Sequence, residues 1–329
     1  MLLARSRALR IAVGAIWLLV SLTWLGVIGQ AQASPGSTFT LASTVQENDT
    51  IWRVRVTPDG SRFVAYTSAG ITVRRLSDNS IVWNNPINGY FAISPDGELL
   101  VTAGADSSDL HIRVWRMRDG HHLRTITLPD TNIVDVAFTP DGTQLIGVGG
   151  TQMISWRVTN WRRVWTVTGD ADSVDSIVVS PDGRTFATST ESRQVKVWNV
   201  QNAQLLQAFP DQGWGPGDPV AYSPDSQFLA TAGFDPLVSV WQLNTGQLTA
   251  QWSVASRGVM SIAYRPAGDL LAVSLAEGPI TLWHVGDYTL QQTLTAHSNG
   301  ANSIAWSSDS RTLVSGGSDS LINIWRQTQ

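Results

Sequence analysis

The chain has 329 residues, no Cys, 22 Lys+Arg and 26 Asp+Glu, which gives a formal net charge of −4. A hydrophobic share of 43% against a charged share of 15% excludes a disordered chain, and the net negative charge argues against a nucleic-acid binder. The absence of Cys excludes disulfides, iron–sulfur clusters, thiolate zinc sites and cysteine nucleophiles. We therefore expect a folded protein with a sizeable core and no covalent cross-links.

The first predicted element is an export signal. Arg5, Arg7 and Arg10 precede residues 11–29, a run without a charged side chain, and Ala31-Gln32-Ala33 matches the small-x-small pattern of signal peptidase. The run fits both a cleavable signal peptide and a bilayer-spanning anchor, so both remain open for residues 1–33. Both alternatives place the rest of the chain outside the cytoplasm, either secreted or periplasmic or anchored to the membrane, because the positive end stays inside.

The remaining chain, residues 34–329, is acidic. It keeps 19 basic and 26 acidic side chains, because the first 33 residues contain three Arg and no acid. Such a body does not dock on anionic lipid headgroups by its charge. We expect contact with a membrane only through the N-terminal segment, if that segment is not cleaved.

A turn signal of four residues then recurs seven times. Four copies read Ser/Thr-Pro-Asp-Gly and three are degenerate. Pro presets φ, Asp can accept a hydrogen bond from its own backbone, and Gly tolerates positive φ, so each copy predicts a tight turn. The second residues, 37 to 45 positions apart, are Pro58, Pro95, Pro140, Pro181, Pro224, Pro266 and Ser308.

A second marker runs in phase with the turns. A Trp ends an alternating, strand-like segment in six repeats, and Arg74 occupies this position in the first repeat. We expect four short strands in each repeat, separated by turn residues. The six Trp, 41 to 43 positions apart, are Trp115, Trp156, Trp198, Trp241, Trp283 and Trp325.

The two markers together resemble the WD-repeat family of β-propellers, from about residue 37 to the end. The resemblance implies an all-β fold, a single seven-bladed propeller with four-stranded blades around a central channel. Because the last repeat ends four residues after Trp325, we expect the strand-like segment 37–44 to close the last blade. The implied blades span approximately residues 45–84, 85–127, 128–168, 169–210, 211–253, 254–295 and 296–329.

The resemblance also implies a structural network of hydrogen bonds among a His, a Ser or Thr, an Asp and the Trp of one blade. The seventh repeat matches at all four positions, with His297, Ser315, Asp319 and Trp325. The same residue types occur in hydrolase triads, but geometry and roles identify a triad, so we favour the structural interpretation. The five His are scattered over three repeats, and no glycine-rich phosphate loop is present. We predict no catalytic residue, no cofactor and no metal.

In this family, the loops before the first strand of each blade and between its second and third strands open on one face. Exposed aromatic side chains near acids are typical of binding surfaces. An alternative for Trp214, which lies between glycines, is that it folds back over the channel. The residues that the resemblance places on this face are Trp52, Asp175, Trp214, Asp218, Phe234 and Met260.

These features predict a monomeric, non-enzymatic, extracytoplasmic scaffold for protein–protein contacts, with no nucleic-acid partner. Fold alone does not fix function, so two alternatives stay open. One is an extracytoplasmic hydrolase or lactonase-like enzyme with residues that line the channel. The other is a surface glycan-binding module that uses Trp52 and Trp214 as stacking platforms.

Overall fold

The computed structural model describes residues 38–104, 110–128, 131–168, 173–190, 194–209, 220–233, 235–254 and 257–328. These residues belong to one compact unit, Ala33–Gln329. The prediction of a signal peptide or anchor in residues 1–33 lies outside the described residues.

The described chain folds into short antiparallel strands. The strand segments are rich in β-branched and aromatic residues and are bounded by the turn signals, which is the composition that strands favour. The first fourteen are β1 (Phe39–Gln46), β2 (Ile51–Val56), β3 (Arg62–Thr67), β4 (Gly70–Arg75), β5 (Ile81–Asn85), β6 (Phe91–Ile93), β7 (Leu99–Thr102), β8 (His111–Arg116), β9 (His122–Thr127), β10 (Asp135–Phe138), β11 (Gln144–Gly149), β12 (Gln152–Arg157), β13 (Arg162–Thr168) and β14 (Val174–Val179). The others are β15 (Thr185–Thr190), β16 (Val195–Asn199), β17 (Leu205–Phe209), β18 (Val220–Tyr222), β19 (Phe228–Ala232), β20 (Leu237–Gln242), β21 (Leu248–Ser253), β22 (Val259–Tyr264), β23 (Leu270–Leu275), β24 (Ile280–His284), β25 (Leu290–Leu294), β26 (Ala301–Trp306), β27 (Thr312–Gly317) and β28 (Leu321–Gln327).

The strands form seven four-stranded sheets, which confirms the predicted seven-bladed propeller. Blades 1 to 6 each use four consecutive strands, from β2–β5 to β22–β25, and blade 7 combines β26, β27 and β28 with β1. Because neighbouring strands are antiparallel, the first-to-second and third-to-fourth turns of every blade share one face, here called the lower face. The second-to-third and blade-to-blade connections share the opposite, upper face.

The chain closes its own ring at blade 7. Strand β1 pairs antiparallel with β28, with Phe39 opposite Gln327. This confirms that an N-terminal strand closes the last blade, although the strand spans Phe39–Gln46 rather than 37–44. The side-chain amide of Gln292 in blade 6 accepts from the Phe39 N–H at 2.9 Å and donates to the Phe39 carbonyl at 2.7 Å. The pairing covers an edge of β28 that would otherwise be open to aggregation.

The core is divided among the interfaces between blades. The described residues form seven hydrophobic clusters, and each joins two adjacent blades. At the blade 6–blade 7 interface, for example, Phe39, Leu282 and Trp325 pack together. Both faces of an inner strand are therefore covered, so each blade depends on its two neighbours for stability.

The repeated turns have one geometry. In six of the seven copies the Ser or Thr hydroxyl donates to the Asp carboxylate at 2.5 to 2.6 Å. Two degenerate copies place Ser226 and Ser310 where the others have Gly, with φ of 57° and 64°. This left-handed conformation is unfavourable for Ser. Each of these hydroxyls accepts an N–H from the turn of the preceding blade, at Asp182 and Ala267, which offsets the strain.

Candidate functional site

Three of the residues predicted on the binding face occupy equivalent structural positions. Trp52, Asp175 and Met260 lie near the start of the innermost strands of blades 1, 4 and 6, each at a shift in register against the second strand. Such a bulge leaves one residue unpaired and redirects its side chain. Because the innermost strands begin on the upper face, these residues lie at the upper mouth of the channel. Trp52 is 44% exposed, whereas Asp175 and Met260 are half-buried.

Blade 7 adds a fourth residue at this position, Asn302, which sequence reasoning missed. Its side chain is buried, donates to the Ile51 carbonyl at 3.0 Å and accepts from the Ser318 hydroxyl at 3.0 Å. The neighbouring Ser303 hydroxyl accepts from the Val54 N–H at 3.1 Å. The backbone on both sides of Trp52 is thus fixed by blade 7. Aligning the repeats on their turns would have identified this position from the sequence.

The other three predicted surface residues, Trp214, Asp218 and Phe234, lie outside the described residues. The upper mouth is therefore defined here by Trp52, Asp175, Met260 and Asn302.

A buried ion pair crosses the channel immediately below this mouth. Arg53 of blade 1 donates to both carboxylate oxygens of Asp135 in blade 3, at 2.7 and 3.0 Å. Both side chains are almost fully buried. Asp135 also accepts from its neighbour Val136 N–H at 2.9 Å and from Ile177 N–H of blade 4 at 3.2 Å. Its lone pairs are satisfied, which is the condition under which a buried carboxylate is tolerated.

Blade 2 contributes an aromatic ring to the same bridge. The Arg53 guanidinium lies 4.3 Å from the centroid of the Tyr90 ring, a distance at which a cation–π interaction is favourable. In the strand register, Arg53, Tyr90 and Asp135 occupy the same position of blades 1, 2 and 3. Sequence reasoning did not identify this bridge. The only signal in the sequence is a charged residue four positions before the turn in two repeats, Arg53 and Asp135.

The four predicted network residues of blade 7 are linked by hydrogen bonds. His297 Nδ1 lies 3.0 Å from Asp319 Oδ1, and His297 Nε2 lies 2.8 Å from the Ser315 hydroxyl. The Trp325 indole N–H donates to the same hydroxyl at 3.0 Å. The carboxylate of Asp319 also accepts the Ser298 and Leu321 N–H groups. The network therefore connects two strands of blade 7, β27 and β28, with the segment before β26 and the β27–β28 connection.

Comparison with known proteins assigns this architecture. The family model described as WD domain, G-beta repeat matches residues 88–116, 220–242 and 288–326. A second model, the anaphase-promoting complex subunit 4 WD40 domain, matches residues 143–213. The chain belongs to the WD-repeat family of β-propellers. WD-repeat propellers generally mediate contacts with protein partners.

Individual relatives of this WD-repeat chain match only in part. The WD repeat-containing protein sll1491 of Synechocystis sp. is 29% identical over 185 residues, which cover 51% of this chain and 52% of that protein. The B-type cell cycle switch protein ccs52B of Medicago truncatula is 28% identical, over 33% of this chain and 23% of that protein. Pre-mRNA-processing factor 19 of Caenorhabditis elegans is 27% identical, over 38% and 26%. The chain thus spans about half of the first relative and about a quarter of the others.

The geometry of the blade 7 network is unsuited to hydrolysis. Ser315 has no exposed surface, and its oxygen already accepts from Trp325. A nucleophilic hydroxyl must reach a substrate, and a base must be able to take its proton there. The arrangement ties the strands of the propeller blade together instead.

The described part of the propeller contains no group of three or more His, Asp or Glu that could hold a metal ion.

Burial raises the pKa of the Tyr222 and Tyr264 phenols above the ordinary value, because a phenolate would lose its hydration. Both phenols are therefore neutral at physiological pH.

Towards the lower face, the channel contains two adjoining cavities of about 330 and 310 Å³. Arg55 lines both and donates to the Val54 carbonyl at 2.9 Å. No Asp or Glu is among the described residues that line these cavities, so they do not bring two carboxylates together as glycoside hydrolysis requires. The residues at the Arg55 position of the other blades are small and apolar: Ala92, Ala137, Val178, Ala221, Ala263 and Ala305.

The described residues form no helix that is long and apolar enough to cross a membrane.

Proposed function

We propose that this WD-repeat propeller is an extracytoplasmic, non-enzymatic scaffold that holds a protein partner at its upper mouth. The observation that carries the proposal is the exposure of Trp52, 44% of whose surface is open on an innermost strand. Trp is strongly enriched among the residues that dominate the binding free energy of protein interfaces. A large aromatic group on a rigid support is a suitable anchor for a partner.

The support of Trp52 is fixed before any partner binds. Blade 7 holds the backbone on either side of it through Asn302 and Ser303, and the adjacent Arg53 is bonded across the channel to Asp135. A preorganised backbone loses less conformational entropy on binding. The segment that carries Trp52 is therefore already ordered when a partner binds.

The surroundings of Trp52 also suit an interface. Met260 offers apolar surface and Asp175 a carboxylate at the equivalent positions of two other blades. Protein interfaces combine an apolar, aromatic centre with a polar rim. A partner that covers the mouth would contact several blades and bury Trp52 near its centre.

Cross-linking and variant binding test this proposal. Tagged chain is cross-linked in native envelope and medium fractions, and each captured partner is then titrated with purified Trp52→Ala and Leu290→Ala proteins. Leu290 is 45% exposed but lies on the outermost strand of blade 6, so it controls for loss of exposed apolar surface. We expect Trp52→Ala to weaken binding about 30-fold, as for a hot-spot residue, and Leu290→Ala to leave it unchanged.

Equal losses in the two variants, or the absence of a partner with both proteins folded, would contradict the proposal. A sugar-dependent shift of tryptophan fluorescence that Trp52→Ala abolishes would favour the glycan-binding alternative instead.

The extracytoplasmic part of the proposal is supported by the apolar run 11–29 and the cleavage pattern that follows it. Protease treatment of intact cells, or of spheroplasts, tests it separately. We expect the propeller to be accessible, or to be present in the medium, while a cytoplasmic marker stays protected. Protection of both proteins would place the propeller in the cytoplasm.

A further inference from the structure

A basic groove lies on the lower face, where blade 7 meets blade 1. It is an open cavity of about 770 Å³ between the first turns of the two blades and the ends of their third strands, β4 and β28. We call it the seam groove. The charged residues that line it are Arg62, Arg75, Asp309, Arg311 and Arg326.

The four guanidinium groups keep most of their hydrogen-bonding capacity. Arg75 donates to the Ser80 hydroxyl at 2.9 Å, and Arg326 donates to the Leu76 carbonyl at 3.1 Å. Arg62 donates to the Met117 carbonyl at 3.2 Å. Among the described residues, none of the four forms an ion pair with a carboxylate. Since a guanidinium has five N–H donors, each can still bind an anion.

The single acid of the seam groove does not neutralise it. The carboxylate of Asp309 accepts from the Ser307 hydroxyl at 2.5 Å and from the Arg311 N–H at 3.0 Å, within its own turn. The net charge of the lining side chains is therefore about +3 in a chain whose formal net charge is −4.

The positive charge is a property of this seam and not of the repeat. Arg75 and Arg326 each follow the strand-ending Trp position of their blade. Arg62 and Arg311 lie in or just after the first turn of their blade. At the interface of blades 5 and 6, the residues at the positions of Arg311, Arg326, Arg62 and Arg75 are Gln227, Gln242, Leu270 and His284. The fold is built equally well with neutral residues at these positions, so the fold does not require the arginines.

We infer that the seam groove binds an acidic peptide segment of a protein partner. Arg binds carboxylates through paired, parallel N–H donors, which gives both strength and geometry. The concave shape between two blades admits a narrow chain that carries several carboxylates. An anionic membrane fits less well, because the arginines line a cavity between two blades, which a narrow peptide enters more readily than a broad bilayer surface does. This inference concerns the lower face and is independent of the function proposed for the upper mouth.

Fluorescence anisotropy of a labelled peptide tests the inference. The probe is a twelve-residue peptide that alternates Glu and Ser, and a Gln and Ser peptide is the control. Vesicles of phosphatidylglycerol are assayed in parallel for sedimentation with the protein. We expect the wild-type chain to bind the Glu peptide, to lose this binding as salt rises, and to ignore the Gln peptide.

The decisive variant is Arg75→Gln with Arg311→Gln, because neither side chain hydrogen-bonds to another blade among the described residues. Its matched control is Arg116→Gln with Arg184→Gln, which removes two arginines from the equivalent positions of blades 2 and 4. We expect the first variant to bind the Glu peptide at least about tenfold more weakly and the control to bind it normally. Thermal melting of both variants shows that they are folded.

Three outcomes would overturn the inference: no binding by the wild type, an equal loss in the control variant, or stronger retention on vesicles than on the peptide. The last outcome would assign the groove to anionic lipid.

Discussion

Blades 7 and 1 are neighbours, but different interactions hold them. In blade 7, the Trp325 indole N–H donates a hydrogen bond to the Ser315 hydroxyl of the neighbouring strand. In blade 1, Ala65 and Arg74 occupy the equivalent positions, and Ala69 replaces the network acid Asp319. Blade 1 therefore has no network of this kind.

Charges take the place of the network in blade 1. Arg74 pairs with Glu47 at 2.9 Å, and Arg53 pairs with Asp135. Each of these contacts reaches beyond the blade, to the segment that follows β1 and to blade 3. The network of blade 7, in contrast, links residues of that blade and of the segment that leads into it. Blade 1 depends on partners elsewhere in the ring, so a change in another blade can loosen it.

The largest expected effect comes from breaking the ion pair that holds blade 1 to blade 3. Asp135→Asn leaves the Arg53 charge buried without a counter-charge, and we expect it to lower the free energy of unfolding by about 3–5 kcal/mol. Urea denaturation followed by tryptophan fluorescence measures this change. Unfolding that remains two-state would show that the bridge stabilises the whole ring rather than one blade.

A double variant separates the cost of a buried charge from the contribution of the pair. Arg53→Met with Asp135→Leu removes both charges and keeps similar volume, so we expect it to recover much of the loss. If this variant were as unstable as Asp135→Asn, the hydrogen bonds to Val136 and Ile177, and not the charge balance, would be the important part of the bridge.

A second, smaller effect compares the two blades directly. Asp319→Ala leaves His297 and two backbone N–H groups of blade 7 without their acceptor, and we expect a loss of about 1–3 kcal/mol. Glu47→Ala removes a pair whose side chains are 13% and 15% exposed. We expect a smaller loss, of about 1 kcal/mol, because Arg74 keeps its hydrogen bond to the Asn79 carbonyl. The urea midpoints of the two purified variants show which of them loses more stability. Equal losses would mean that the charge pair of blade 1 contributes as much stability as the Asp319 contacts of blade 7.

The repeat pattern accounts for most of the fold. The turns and the strand-ending Trp residues indicated seven blades, and the short last repeat indicated that an N-terminal strand closes the ring. These features are local or periodic, so one sequence contains them. The Arg53–Asp135 bridge joins residues 82 positions apart, and Tyr90 and Ile177 come from two further blades. Such a convergence depends on ring geometry, which no spacing in the chain expresses.

The candidate site was predicted less completely for the same reason. Trp52, Asp175 and Met260 were identified from their place before an innermost strand, and the structure brings these positions to one mouth. Asn302 was missed because its side chain acts on the backbone of another blade, at Ile51. The seam groove was missed because its arginines come from both ends of the propeller sequence.

The smallest expected effect concerns acid stability and the turns of the same two blades. The hydroxyl of Ser307 holds the pKa of Asp309 below its ordinary value, and the Arg311 N–H adds to this. Burial opposes a lowered pKa at Asp59 in blade 1, but two hydroxyls, from Ser61 and Thr57, donate to it and keep its pKa low. A carboxylate with a lowered folded-state pKa stabilises the protein above the unfolded value of about 3.9. That stabilisation is lost as pH falls through the folded-state pKa.

We therefore expect Ser307→Ala to lower the free energy of unfolding by about 1 kcal/mol at pH 7. Between pH 5 and about pH 3, the free energy of unfolding should then fall less in this variant than in the wild type. Thr57→Ala leaves the Ser61 hydroxyl on Asp59, so its acid sensitivity should stay closer to that of the wild type. Urea denaturation of the three proteins at several pH values measures both slopes. A steeper loss in Ser307→Ala than in the wild type would show that the turn hydroxyl does not stabilise the charged form of Asp309. Equal slopes in Ser307→Ala and Thr57→Ala would show that the two blades do not differ in this respect.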